Sequence, residues 1–278
     1  MSLASCKITD QEFLKFRKLV YEEFGINLTE KKKLLVVNRL QKVLRDKNLG
    51  SFTQYYDYIK RDNTNKSLSE LINKISTNHT FFYRENTHFE VLRKDLLPKI
   101  TLDLSNKLSK DLRIWCAGCS SGEESSTLMM IIKDVLGVDY NLWKAGLLAT
   151  DICEEVLEFA KNGHYETKRI KELPVDLRNK YTEITTKVMS KIKNDVLSEI
   201  TYRKFNLMHD FPFKKKFHVI FCRNVMIYFD QKTRKNLVNK FLDYLMDDGL
   251  LFIGHSESLS DVDDLIAISP SMYKKRGK

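Results

Sequence analysis

Residues 114–125 read Ile-Trp-Cys-Ala-Gly-Cys-Ser-Ser-Gly-Glu-Glu-Ser and place a loop of small residues after a short apolar strand. An apolar helix that contains Leu128 to Ile132 follows the loop. In a doubly wound sheet, a nucleotide-like ligand binds at this position. Gly118 and Gly122 allow close backbone approach, but the Gly-Lys-Ser/Thr ending of a phosphate loop and a full Gly-x-Gly-x-x-Gly are both missing. The sequence therefore favours a ligand poor in phosphate.

Acidic residues extend this predicted site. Glu123 and Glu124 open the helix, where carboxylates suit the positive end of the helix dipole but would repel a pyrophosphate. Asp151 closes the next strand, at an edge where an acidic side chain can bind both hydroxyls of a ribose. The alternative for Asp151 is a helix N-cap ahead of Glu154 and Glu155. The loop and the aspartate together favour a cationic or hydroxyl-rich ligand, and an adenosyl group fits.

Strands that alternate with helices after Asn78 predict an α/β domain. Helix-sized segments such as Glu154 to Ala160 and Lys232 to Leu245 separate short apolar strands, which is typical of a mainly parallel sheet. The strands are predicted within residues 113–118, 147–151, 217–222 and 250–254. Residues 165–207 lack such spacers and are rich in β-branched and aromatic residues. We therefore predict a small antiparallel insertion there, with residues 198–205 as one of its strands.

Residues 8–75 read as helices, with no alternating strand pattern. Between Thr29 and Asp46, apolar residues recur at three- and four-residue steps, and Thr29 is the predicted N-cap. A helical wheel places the basic residues of this segment on the opposite side, and we call them the basic face: Lys31, Lys32, Arg39, Lys42 and Arg45. A solvated surface is the ordinary interpretation, and a docking surface for an acidic partner is the alternative.

Composition excludes several classes of protein. The 278 residues are 42% hydrophobic and 30% charged, which excludes a disordered chain. The net charge of +10 favours anionic partners, whether nucleic acid, an anionic surface or an acidic protein face. Apolar runs are far shorter than the ~20 residues of a membrane span, and residues 1–7 lack an export signal. We expect a cytoplasmic protein that does not insert into membranes.

Cys116 and Cys119 have the spacing of a redox pair or of half a zinc site. No second Cys/His pair is nearby, and a structural zinc site normally needs four ligands. A redox pair would also require a thioredoxin-like context, and the six histidines are dispersed. We therefore predict a turn of small residues here, reduced thiols and no catalytic metal.

Two further segments combine an arginine with aromatic residues. Residues 77–85 join the helical region to the α/β domain, and residues 221–229 close a strand at the carboxyl edge of the sheet. One interpretation is that the aromatics pack a domain junction while Arg84 and Arg223 cap or solvate it. The joint presence of both segments around a nucleoside pocket favours the alternative, a substrate clamp.

Five ordered motifs make the chain resemble the chemotaxis-receptor methyltransferases of the CheR type over nearly its whole length. The motifs are Thr77-Asn-x-Thr-x-Phe-Tyr-Arg-Glu85, residues 115–124, Thr150-Asp-Ile152, Phe205-Asn-Leu207 and Cys222-Arg-Asn-Val-Met-Ile-Tyr-Phe229. The family pattern usually has a second phenylalanine where this chain has Tyr83, a departure that concerns only local packing.

The resemblance implies a fold, a reaction and a partner. It implies an all-α N-terminal domain at residues 1–76 and a Rossmann-like methyltransferase domain at residues 77–278, with the β insertion at about 165–207. The implied enzyme is a protein-glutamate O-methyltransferase. It uses S-adenosylmethionine (SAM) to esterify receptor glutamates and releases S-adenosylhomocysteine (SAH), for sensory adaptation. The implied partner is the cytoplasmic helical bundle of methyl-accepting chemotaxis receptors, recognised through the N-terminal helices and the β insertion; we expect a monomer.

The resemblance also implies the site residues. Asp151 would hold the ribose, while Arg84, Arg223 and Tyr228 would face the transferring methyl group and are the implied catalytic residues. The implied lining of the cofactor pocket is Asn78, Thr80, Arg84, Glu123, Asp151, Asn206, Leu207, Arg223 and Asn224.

Two rival functions follow from the same residues. A SAM-binding or receptor-binding adaptor without turnover is disfavoured by the presence of Arg84, Arg223 and Tyr228. The positive charge suggests a nucleic-acid methyltransferase, but the four prolines supply neither an Asn/Asp-Pro-Pro-aromatic motif nor a Pro-Cys nucleophile, so we expect no nucleic-acid partner. Residues 181–206 contain no glycine, and we expect few tight loops and no docked receptor tail there.

Overall fold

The computed structural model describes residues 7–76, 78–260 and 262–277, so Thr77 of the first motif lies outside the described residues. The helices are α1 (Asp10–Phe24), α2 (Lys33–Asp46), α3 (Phe52–Arg61), α4 (Lys66–Ile75), α5 (Thr87–Val91), α6 (Leu97–Asn106), α7 (Glu123–Leu136), α8 (Glu154–Asn162), α9 (Thr167–Ile170), α10 (Val175–Tyr181), α11 (Asn194–Leu197) and α12 (Gln231–Tyr244). The strands are β1 (Ile114–Ala117), β2 (Leu147–Asp151), β3 (His164–Glu166), β4 (Thr182–Ile184), β5 (Met189–Ile192), β6 (Ile200–Lys204), β7 (Phe217–Cys222), β8 (Leu245–Ile253), β9 (Leu265–Ser269) and β10 (Met272–Lys275). Within these described ranges, none of the helices has the length and apolar character needed to cross a membrane.

Helices α1 to α4 form the N-terminal part around one apolar cluster. Helix α1 begins with a capping box, in which Thr9 and Glu12 exchange side-chain and backbone hydrogen bonds. It ends at Gly25, whose left-handed conformation lets its N–H bond back into the last turn. Phe16 is fully buried and stacks on Tyr55 with ring centroids 5.9 Å apart. Burial of such aromatic side chains holds the helices together.

The helix that carries the basic face begins later than predicted. A 3-10 turn at Glu30–Lys32 precedes α2, and Thr29 takes the N-cap position of that turn without a side-chain capping hydrogen bond. The predicted apolar stripe is buried at Val36, Leu40, Val43 and Leu44. Because a 3-10 turn has about 3.0 residues per turn, Lys32 does not continue the helical wheel of α2.

A seven-stranded sheet forms the α/β part, in the order β6-β2-β1-β7-β8-β10-β9. Strand β10 runs antiparallel to both of its neighbours, and the remaining neighbours are parallel. Along β1, Ile114 and Cys116 join one apolar cluster, while Trp115 and Ala117 join a second cluster. The sheet is therefore covered on both faces, and the parallel strands end together at one carboxyl edge.

The small antiparallel sheet has three strands, in the order β3-β5-β4. The prediction that residues 198–205 belong to this insertion is wrong, because β6 pairs in parallel with β2 and forms an edge of the large sheet. The register joins Leu147 to Ile200 and Asp151 to Lys204. Composition fits a strand in either sheet, since β-branched and aromatic residues favour strands without specifying the partner.

The N-terminal helical part contacts the carboxyl edge of the large sheet. The Asn27 N–H donates to the Tyr228 carbonyl at 2.8 Å, and Asn206 Nδ2 donates to the Glu23 carbonyl at 2.7 Å. The first hydrogen bond joins the segment after α1 to the segment that follows β7, and the second joins the end of α1 to the loop that follows β6. The junction therefore lies over the position where α/β sheets bind ligands.

Candidate active site

A pocket lies at this junction, between the helical part and the loops that follow β1, β2, β6 and β7. The structure brings together there all but one of the predicted site residues: Asn78, Thr80, Arg84, Asp151, Asn206, Leu207, Arg223, Asn224 and Tyr228. Glu123 is the exception, and its neighbour Glu124 lines the pocket instead.

The glycine-containing loop after β1 fits closely against its neighbours. Gly118 has φ +91°, and a Cβ at this position would lie 2.4 Å from Val225 Cγ2. Gly122 has φ +93°, and its Cβ would lie 2.6 Å from Ala160 Cβ. Both positions therefore require glycine, for backbone conformation and for space. Gly118 lines the pocket, so the backbone itself forms part of the site.

Asp151 is held by the backbone at the carboxyl end of β2. One carboxylate oxygen accepts from the Ser120 N–H at 2.8 Å, and the other accepts from the Cys153 N–H at 2.9 Å. Burial raises the pKa of the Asp151 carboxyl, and these backbone donors oppose the rise. The residue that caps α8 is Cys153, so Asp151 does not take the alternative role of N-cap. Asp151 instead lines the pocket and holds the loop after β1 in place through its hydrogen bond with Ser120.

The two glutamates that open α7 point in different directions. Glu123 is fully buried, accepts from Ser121 Oγ at 2.7 Å and pairs with Arg169 of α9. Glu124 turns to the pocket and accepts from Arg223 Nη1 at 2.8 Å. Successive residues of an α-helix lie about 100° apart, so only one of the two can face a ligand. Glu123, the predicted contact, therefore lies outside the pocket lining, and Glu124 takes its place there.

Arg223 lies between two carboxylates. Its Nη2 donates to Glu85 Oε2 at 3.0 Å and its Nη1 to Glu124 Oε2 at 2.8 Å, while Nη2 also donates to the Arg84 carbonyl. The guanidinium carbon lies 5.1 Å from the Phe89 ring centroid, and the side chain is 1% exposed. Arg223 is therefore saturated by the chain's own groups, which differs from the predicted role of facing the methyl group.

The two carboxylates differ in their electrostatics. Burial works against the ionisation of Glu85, but the Arg223 charge and its hydrogen bonds, with those from His255 and Asn224, hold the Glu85 pKa below its ordinary value. Burial raises the pKa of Glu124 in spite of the Arg223 charge. Two carboxylates on one guanidinium leave this wall with one excess negative charge when both are ionised. Such a wall favours a cationic ligand.

Arg84 projects from the segment before α5 and is half-buried. Its Nη2 donates to Asn224 Oδ1 at 2.7 Å, and its Nη1 donates to the His79 carbonyl at 2.9 Å. Its guanidinium carbon lies 5.9 Å from the Phe81 ring centroid. Arg84 lines the pocket and, among the described residues, has no carboxylate partner, so it keeps a charge available to an anionic ligand.

Glu257 supports the pocket and was not predicted from the sequence. Its buried carboxylate accepts from the backbone N–H groups of Asn224 at 3.1 Å, Ile227 at 3.1 Å and Gly254 at 2.5 Å. It thereby fixes the loop that carries Asn224 and Tyr228. The sequence feature that could have indicated Glu257 is its position, because it is an acidic residue shortly after a buried strand that ends at the carboxyl edge.

The basic face is divided by the structure. Arg39 donates to the carbonyls of Ile75 and Ser76, each at 2.7 Å, and so closes the end of α4. Lys32 is half-buried and lines the pocket, with its amine 5.1 Å from the Tyr228 ring centroid. The remaining members are exposed to solvent: Lys31, Lys42 and Arg45. The expectation of one free face of five cations is corrected to a surface of three.

Glu85, His88 and His255 come together beside the pocket, with potential ligand atoms within 4.8 Å of one another. Burial lowers the pKa of His88 to about 4, and the Arg223 charge acts in the same direction. A divalent cation here would lie next to that guanidinium, which is electrostatically unfavourable. The cluster therefore carries no metal assignment, and the absence of a catalytic metal stays a prediction.

Comparison with known proteins finds the same family along most of the chain. Residues 11–76 match the CheR methyltransferase all-alpha domain, and residues 78–274 match the CheR methyltransferase SAM binding domain. The chain is 46% identical to the chemotaxis protein methyltransferase of Borreliella burgdorferi, over 96% of this chain and 95% of that protein. It is 33% identical to the chemotaxis protein methyltransferase of Escherichia coli, over 92% of this chain and 87% of that protein.

Proposed function

Because the chain belongs to the CheR family of chemotaxis methyltransferases, we propose that it methylates the side-chain carboxylates of receptor glutamates and forms glutamyl methyl esters and SAH. The family, the α/β fold with an all-α N-terminal domain and SAM as the cofactor are confirmed. The acceptor group, the receptor and the residue roles belong to the proposal, as do action in the cytoplasm, the monomeric state and the division at residues 76 and 77.

The residues at the pocket fit SAM. Asp151 keeps lone pairs beyond its two backbone hydrogen bonds, and these would bind the ribose hydroxyls. Glu124 contributes a half-buried carboxylate that would face the positive groups of the cofactor. The remaining proposed cofactor contacts line the same pocket: Asn78, Thr80, Arg84, Asn206, Leu207, Arg223 and Asn224. When bound, SAM supplies an electrophilic methyl group on a sulfonium.

The chain does not need a general base for this reaction. A glutamate carboxylate has an ordinary pKa of about 4.3, so it is already ionised at neutral pH. The residues must hold the anionic oxygen in line with the methyl group, and such positioning is worth up to ~7–11 kcal/mol. Arg84 and Tyr228 line the pocket and would orient the acceptor, while Arg223 would hold Arg84 in place through the Arg84 carbonyl.

The observation that carries the proposal is that one pocket holds two carboxylates on a single arginine and, among the described residues, a second arginine without a carboxylate partner. Arg223 is shared by Glu85 and Glu124, whereas Arg84 has no carboxylate partner within the described ranges. The wall suits a cationic methyl donor, and the arginine suits an anionic acceptor.

The test is incubation of the protein with methyl-labelled SAM and chemoreceptor-containing membranes, followed by mild base. Release of the label as methanol indicates a carboxyl ester and supports the proposal. A SAM-binding adaptor would bind the cofactor and release no methanol. Transfer of base-stable label to receptor or to duplex nucleic acid would contradict the proposed acceptor.

A further inference from the structure

Three cationic side chains line the pocket within the described residues, namely Lys32, Arg84 and Arg223. Arg223 is neutralised by two carboxylates, and Arg84 donates to an amide oxygen and a backbone carbonyl. The Lys32 amine makes neither a hydrogen bond nor an ion pair with any described residue, and its aromatic neighbour is Tyr228. The helical part of the chain thus brings an uncompensated charge to a pocket built mainly by the α/β part.

The position of Lys32 is fixed by the backbone around it. Lys32 ends the 3-10 turn that precedes α2 and is half-buried. The segment before that turn pairs with the Tyr228 loop, through the bridge of Ile26 with Phe229 and the hydrogen bond from the Asn27 N–H to the Tyr228 carbonyl. The amine is therefore held near Tyr228 by main-chain contacts between the two parts of the protein.

A partly desolvated ammonium in this position favours an anion. Burial lowers the pKa of Lys32, and no carboxylate among the residues that the structure describes compensates the lost hydration. A cation over an aromatic ring recovers only part of that loss. An acceptor carboxylate would supply the missing partner, and the ester product, which is neutral, would lose it again.

We infer that Lys32 binds one oxygen of the acceptor glutamate carboxylate beside the ring of Tyr228 and leaves the second oxygen free to attack the methyl group. The inference rests on the proposed function and deepens it, by making the helical part a contributor to the acceptor site. The free oxygen forms the new C–O bond, the C–S bond breaks, its electron pair stays on sulfur, and no proton moves. A lysine suits this role because an ammonium is a point charge, whereas an arginine fork engages both oxygens.

The test compares Lys32→Gln with Lys31→Gln, which removes the same charge from the adjacent, exposed position. Methyl ester formation is measured against acceptor concentration, with chemoreceptor-containing membranes, across a salt series. We expect Lys32→Gln to raise the acceptor KM roughly 10- to 100-fold, the range for a hydrogen bond to a charged group. The effect should persist at high salt, while Lys31→Gln should produce a smaller effect that high salt removes.

A conservative variant separates acceptor binding from a structural role. Lys32→Arg should restore the acceptor KM and turn over more slowly than the parent, because the guanidinium holds both oxygens. Affinity for SAH and the melting temperature should match the parent in all three variants. Equal acceptor KM values for Lys32→Gln and Lys31→Gln at every salt concentration would overturn the inference, as would a Lys32→Gln defect that appears in SAH affinity. If the parent itself releases no methanol, the proposed function fails, and the role of Lys32 fails with it.

Discussion

The two sides of the pocket are built in different ways. The sheet side, formed by Asp151, Glu124, Arg223 and Asn224, is fixed by hydrogen bonds and ion pairs within the chain. The helical side, formed mainly by Phe24, Ile26, Lys32 and Leu35, offers apolar surface and one lysine without a carboxylate partner among the described residues. A fixed wall suits a cofactor that is the same in every turnover. A wall with little internal pairing suits an acceptor that must enter and leave as part of another protein.

The comparison predicts that the sheet side is needed for stability as well as for binding. Arg223→Met should destabilise the fold by about 3–5 kcal/mol, because it leaves two half-buried carboxylates without their buried partner. Chemical unfolding measures the loss. Lys18→Met removes one partner of an exposed pair with Glu22 and should cost less than about 1 kcal/mol. Equal stability of the two variants would show that the Arg223 network contributes nothing to the fold.

A smaller effect is expected at the ribose end of the sheet side. Asp151→Ala should weaken SAH binding by about 1–3 kcal/mol, because it removes the acceptor for the proposed ribose hydroxyls and for the Ser120 and Cys153 N–H groups. Asp151→Asn keeps one oxygen and should lie between the parent and the alanine variant. Titration calorimetry on folded protein measures both. Unchanged affinity in Asp151→Ala would remove this residue from the cofactor site.

The two adjacent glutamates of α7 should differ in their effect on cofactor binding. Glu124→Gln should weaken SAM relative to SAH by about 1–2 kcal/mol, since it removes a negative charge that, under the proposed function, would face the sulfonium. Glu123→Gln removes the same charge at a position that pairs with Arg169, and it should leave the ratio of SAM to SAH affinity unchanged. Competitive binding of the two ligands gives that ratio. A shift in the ratio for Glu123→Gln alone would mean that Glu123, and not Glu124, acts on the charge of the cofactor.

Much of the sheet side could be predicted from the sequence. Parallel strands end at a common edge, so the residues that follow them, such as Asp151, Asn206 and Asn224, had to meet there. The choice between Glu123 and Glu124 depends on how α7 is rotated against the sheet, and adjacent residues in a sequence carry no information on that rotation. The assignment of β6 failed for a related reason, because strand composition does not name the neighbouring strand.

The helical side was less predictable. A helical wheel treats residues 31–45 as one regular helix, but a 3-10 turn at Glu30–Lys32 rotates Lys32 into the pocket. Arg39 donates hydrogen bonds to backbone carbonyl groups at the end of α4. Because every residue has a backbone carbonyl, the sequence does not show which of them will accept from an arginine. Charge periodicity therefore located the basic segment but not the surface that it presents.

The smallest effect is expected at the three exposed cations that remain of the basic face. Lys42→Glu with Arg45→Glu should raise the acceptor KM a few-fold at low salt, since exposed ion pairs are each worth about 0.2–1 kcal/mol. Reversal of Arg39 is unsuitable, because it would also break the contact with α4. The matched control is Lys232→Glu with Lys235→Glu on the exposed side of α12, which changes the net charge equally.

At 1 M salt, where the Debye length is about 3 Å, both double variants should match the parent. An equal effect of the two double variants at low salt would mean that receptor attraction depends on the net charge of +10 and not on this surface. No effect of either would confine acceptor recognition to the pocket, where the inferred contact of Lys32 would have to supply it.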